Sequence, residues 1–121
     1  MEEQNDSLLK QAVIDMAVEA WRFRRVFDKA MSKLEAGESS RYIGQFNWFI
    51  KKVEAALKTA GLRIVNVEGR PYDVGMALTP LNIDDFEPED QLLVEQLIEP
   101  IIMDDEKVVK TGTAILGRME P

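Results

Sequence analysis

Eight apolar residues, Leu9, Val13, Met16, Ala20, Phe23, Phe27, Ala30 and Leu34, recur alternately four and three apart in the first third of the chain. No Pro or Gly interrupts them, and the spacing is that of a heptad seam on one helix. The pattern predicts a first helix from about Asp6 or Ser7, both good N-caps, to about Ala36, with Gly37 as its stop. About 30 residues at 1.5 Å each give a rod of roughly 45 Å. Glu38-Ser39-Ser40 is then a short connection, and a second helix is expected from about Arg41 to Ala60. Its own seam is Ile43, Phe46, Ile50, Val53, Leu57 and Ala60, and Gly61 follows where a C′ glycine belongs. A short loop between two helices predicts an antiparallel hairpin. The first stripe is longer than one other helix in the same chain can cover, so it predicts pairing with a second copy. The expected dimer interface is Leu9, Val13, Met16, Ala20, Phe23, Phe27, Leu34, Phe46, Ile50 and Val53, with two hairpins forming a four-helix bundle.

The pattern changes at Gly61. Leu62 to Glu68 reads as a strand, and Gly69-Arg70-Pro71 is turn chemistry. Asp73 to about Ile83 is mixed, with room for a short strand. Asp84 to Asp90 is an acidic loop. Leu92 to Met103 is β-like, and Pro100 restricts it to an edge or a bulge. Asp104 to Lys107 is a turn, and a Gly-containing strand follows from Val108 to Met119. The fold class expected is α+β: a helical stalk over residues 1–61, then a small antiparallel β-sheet head over 62–121.

Apolar residues make up 45% of the 121-residue chain and charged residues 31%, a globular composition. No apolar run is long enough for a membrane span. The acidic, polar start, Met1 to Asp6, is unlike a secretory signal and predicts a cytoplasmic protein. The net charge of −7 is unevenly spread. Residues 1–61 balance at +1, while residues 62–121 hold five basic and thirteen acidic residues, a balance of −8. The acidic half argues against a nucleic-acid partner there; it suits a basic protein surface or, equally, plain solubility.

Candidate chemistry is sparse. With no Cys and no His, the chain lacks thiolate chemistry, the commonest general base and the commonest metal ligand. The acidic loop lacks the alternating ligands and central Gly of a calcium loop, so no metal is expected. Asp104 and Asp105 lie in a turn, which does not provide the burial that tunes catalytic carboxylates. No nucleophile elbow, phosphate loop or dinucleotide fingerprint is present. No enzymatic activity and no cofactor are expected. Arg22, Arg24 and Arg25 beside Trp21 and Phe23 raise a coiled-coil nucleic-acid reading, against which Glu19 and Asp28 stand close enough to pair with them.

The order of long helix, second helix and small β head resembles the GrpE family, the nucleotide exchange factors of DnaK-type chaperones. Three stretches carry the resemblance. Phe49 to Leu62 is similar to the family's amphipathic helix ending in Gly and a strand. Glu68-Gly69-Arg70-Pro71-Tyr72-Asp73 is similar to its Gly-x-Pro-Phe-Asp-Pro. Leu93 to Leu116 matches the strand, tight turn and strand of its β-wing. Val74 and Ala77 stand where the family has Pro and His, Pro100-Ile101 where it has Gly-Tyr, and Lys110-Thr111-Gly112 where it has Arg-Pro-Ala. The resemblance implies a homodimer whose wing contacts a DnaK-type ATPase domain through Arg70, Pro71, Tyr72, Asp73, Lys110, Thr111 and Gly112, and promotes ADP release. The alternative is a GrpE-like dimeric adaptor that binds another protein without exchanging nucleotide.

Overall fold

The computed structural model describes residues 2–120; Met1 and Pro121 lie outside the described residues. Two compact units divide the chain, residues 1–63 and 64–121. The first unit is a helix hairpin, α1 (Glu2–Met31) and α2 (Ala36–Thr59). The second is built of short strands: β1 (Arg63–Val65), β2 (Leu78–Pro80), β3 (Leu92–Glu99), β4 (Ile101–Met103), β5 (Val108–Lys110) and β6 (Gly112–Arg118). The class is therefore α+β.

The hairpin turns about five residues earlier than the sequence predicts. α1 closes on Lys33 N–H to Ala30 O and Leu34 N–H to Met31 O, and the Ser32 hydroxyl donates to Lys29 O at 2.6 Å. These tight closures end the helix without a glycine. Glu35 then serves as N-cap of α2 and makes no side-chain cap bond, so Gly37 lies inside the first turn of α2 instead of stopping α1. The other end of α2 follows the prediction. Gly61 has φ +76°, Leu62 N–H donates to Leu57 O, and Gly61 N–H donates to Lys58 O. This is the paired closure of a Schellman motif, with its apolar contact positions, Leu57 and Leu62, both buried.

The β unit is not one antiparallel sheet. It holds two three-stranded sheets, ordered β1-β4-β5 and β2-β6-β3, and β2 runs parallel to β6. The two long strands expected from the sequence each break in two. Pro100 separates β3 from β4, and Thr111 separates β5 from β6. Pro100 has no N–H for a ladder and is buried. Opposite it, a Cβ on Gly112 would come 2.7 Å from Glu99 O and 3.0 Å from side-chain atoms of Ile101 and Leu78. Only glycine lets the backbones approach this closely. The β3–β4 and β5–β6 chains thus cross from one sheet to the other at matched points, joined by the turn in which Asp104 Oδ1 accepts the Glu106 and Lys107 N–H groups at 2.8 Å.

The core of this unit alternates along β6, where Gly112, Ala114 and Leu116 are buried and Thr113 and Ile115 are half-buried. Val94, Leu97, Ile101 and Ile102 fill it from β3 and β4. The outer edge of β3 is closed by the chain itself. Gly69 N–H donates to Val94 O, Val94 N–H to Arg70 O, and Tyr72 N–H to Leu92 O. Glu68 Oε2 accepts the Leu97 N–H at 2.8 Å. Across the sheet, the Asn82 side-chain amide both donates to and accepts from the Leu116 backbone at 2.9 Å, in the manner of one more strand residue after Pro80.

Gly112→Ala should therefore destabilise by about 1–3 kcal/mol, the usual cost of overpacking a fitted site. A thermal melt checks it, and an unchanged melting temperature would mean that the crossover relaxes freely.

Candidate functional site

On the hairpin, the predicted seam splits into two fates. Ile14, Ala17, Val18 and Trp21 are the buried residues of α1, one position round the helix from the expected stripe. The seam itself is left partly open: Met16 is 74% exposed and Phe23 51%, while Val13, Ala20, Phe27 and Leu34 are half-buried. Phe27 stacks on Phe46 with centroids 4.6 Å apart, and Phe46 also meets Phe23 and Phe49 at 6.3 and 5.9 Å. These rings floor an open groove of about 850 Å³ between α1 and α2. Met16, Ala20, Phe23, Phe27 and Phe46 of the predicted interface line it, and Tyr42 and Phe49 join them. Leu9, Val13, Leu34, Ile50 and Val53 do not line it; Leu9 is exposed and the other four are half-buried. Tyr42 and Phe49 were legible as large apolar side chains flanking the second seam, but strict heptad spacing passes them over.

Two arginines of α1, Arg22 and Arg24, face local partners. Arg22 pairs with Glu19 at 3.5 Å, and the Arg24 guanidinium sits 4.2 Å over the Trp21 ring. The Glu19 contact is part of the salt-bridged face the sequence predicts.

In the β unit the seven residues implied as partner contacts fall into two groups. Pro71 bridges Leu93, and Tyr72 bonds to Leu92, so Arg70 to Asp73 sit beside the start of β3. Leu92 pairs with Arg118 and Glu99 with Thr113, so Lys110, Thr111 and Gly112 lie at the other end of the same ladder. Six residues of strand separate the two ends by roughly 20 Å. The structure does not bring the groups together. Lys110 is engaged within the chain: its ammonium lies 3.4 Å from Glu99 Oε1 and donates to Thr111 O. Gly112 is buried and acts through its missing side chain.

Beside the first group lies a second cavity, a cleft of about 760 Å³. Pro71, Tyr72, Val74, Ile83, Phe86 and Met119 give it an apolar surface. A 3-10 turn, Ile83–Asp85, and the acidic loop after it form one wall. The loop is self-braced. Asp90 Oδ2 accepts the Glu87 N–H at 2.9 Å and pairs with Arg118 at 3.2 Å. The Glu87 N–H, and after it Arg118, hold the Asp90 carboxyl below the usual carboxylate range. Arg118 also lies 5.4 Å over the Phe86 ring. From the sequence this stretch is an acidic loop, and nothing in its spacing signals a cleft, because the facing wall comes from residues 71–74.

Among the described residues no cluster of three or more acidic side chains could hold a metal ion, and no helix is long and apolar enough to cross a membrane. No family model, curated protein or solved structure matches the chain.

Lys110→Glu would set a second carboxylate against Glu99 and should lower the melting temperature. The double swap Lys110→Glu with Glu99→Lys should restore most of the loss, a recovery of about 0.5–1 kcal/mol for a partly exposed pair. Thermal melts of the three proteins measure it. Equal melting temperatures would mean that the pair carries no stability.

Proposed function

We propose that the protein is a GrpE-like co-chaperone: a homodimer joined through the hairpin groove, promoting ADP release from a DnaK-type ATPase by binding its nucleotide-binding domain. The observation that carries the reading is the groove. Met16, Phe23 and Phe49 stand exposed on a single chain beside the half-buried Phe27 and Phe46, and the strip lies on the face that carries the heptad seam. Covering it with the same strip of a second copy buries all of these side chains and completes a four-helix bundle. The order of parts supports the rest: a helix hairpin capped at Gly61, then a β unit with its turn at Glu68 to Asp73.

The mechanism is mechanical and uses no catalytic side chain. A wing that fits only the open arrangement of the ATPase lobes binds that arrangement selectively. Binding then shifts the population toward it, and nucleotide leaves. Such a protein works in the cytoplasm, beside its chaperone.

A second reading, a dimeric adaptor without exchange activity, draws on Lys110. The one cation kept from the family's last-strand pattern is committed to Glu99 and the Thr111 carbonyl. A partner would have to draw it away from both.

The deciding experiment is release of a fluorescent ADP from the DnaK-type chaperone of the same cell, with and without this protein. Acceleration is the expected result. Unchanged release from a confirmed dimer would select the adaptor. For the dimer, Met16→Glu is the clean variant, because the side chain is already open in one chain and the hairpin does not depend on it. It should give a folded monomer by light scattering and circular dichroism, since an unpaired charge in a closed seam is costly. A Met16→Glu protein that remains dimeric would place the interface elsewhere.

A further inference from the structure

The cleft beside β3 combines two features that the exchange reading leaves unused. Its surface is apolar and open: Val74 is 87% exposed, and Ile83 and Met119 are exposed as well. Its rim is acidic and unneutralised. Asp73, Glu87 and Asp90 line it, and Asp84, Asp85 and Glu89 are exposed chain neighbours of lining residues. Asp90 alone of this group has a basic partner, Arg118; none of the other five carboxylates is ion-paired among the described residues. The unpaired Asp73 and Glu87 carboxylates lie within about a Debye length of any ligand seated in the cleft. They repel phosphates, which argues against nucleic acid and anionic lipid. They attract cations, and the apolar surface adds a demand for an aliphatic side chain.

We propose that this cleft docks a basic segment of a partner protein, with Lys or Arg side chains on the Asp73 and Glu87 rim and an aliphatic side chain against Val74, Ile83 and Phe86. A cavity of about 760 Å³ holds a few side chains, the scale of a linear-segment pocket. Arg118 fixes the wall by gripping Asp90 and covering Phe86, so the rim is formed before the segment arrives. The inference shares Tyr72 and Asp73 with the exchange reading but stands apart from it, because the Lys110 end of the ladder lies about 20 Å away.

The test is fluorescence anisotropy with the full chain and a short labelled peptide alternating Val and Lys. The control is the same peptide with Glu in place of Lys. The basic peptide should bind and the acidic one should not, and added salt should weaken binding. Asp73→Asn with Glu87→Gln should weaken it roughly five- to tenfold, from two lost exposed pairs. Val74→Asp should weaken it similarly, and the Lys110–Glu99 swap should leave it unchanged. Unaltered melts would show that the variants are folded. Equal binding by the wild type and the cleft variants would overturn the proposal. So would a change in sedimentation with Val74→Asp, which would make the cleft a self-association surface. ADP release is read separately, so either idea can fail while the other stands.

Discussion

The β unit depends on a pair of omissions facing each other. Pro100 lacks an amide hydrogen and Gly112 lacks a side chain. A ladder running through residue 100 would need the first, and a conventional residue at 112 would strike the Glu99 carbonyl. Together they end one sheet and start another within a single ribbon. Every later placement follows: β4 and β5 turn to meet β1, β6 is left between β2 and β3, and Ile101 and Ile102 enter the core from the bend. In a head of fewer than 60 residues, two small sheets sharing apolar residues bury more surface than one flat sheet with a bare face.

The helices were legible because their period is long and repeated, and Gly61 marked its end by the conformation that only glycine adopts cheaply. The hairpin turn was misplaced because Gly37 and Ser39-Ser40 look like stop and cap signals, whereas backbone closures at Lys33 and Leu34 ended α1 first. Pro100 was recognisable as a break. That the chain changes sheets there was not, since this depends on which strand lies opposite. The parallel β2–β6 pair was illegible for a related reason: three residues carry no periodicity, and their partner is more than thirty positions away. At the candidate sites, the seam gave the groove's floor, but Tyr42 and Phe49 entered through tertiary placement. The acidic cleft needed the fold to set residues 71–74 against 83–91.

The two ends of the β3–β6 ladder differ in character. At the Glu99 end, Lys110 is tied down by a carboxylate and a carbonyl. At the Leu92 end, carboxylates outnumber cations and apolar side chains stand in the open. A contact at the first end must compete with an internal pair, whereas a contact at the second satisfies groups that have no partner. The thermodynamic asymmetry favours the acidic end as the place where the surface gains most from association.

The closure of the β3 edge bears on crowding. Strand edges are templates on which a strand of another chain can add. Here Gly69, Arg70, Tyr72 and the Glu68 carboxylate occupy the outer amides and carbonyls of β3, and β2 is three residues long and ends in Pro80. Neither margin offers a long row of vacant donors and acceptors. The β2-β6-β3 sheet can therefore meet another chain without adding a strand at either margin.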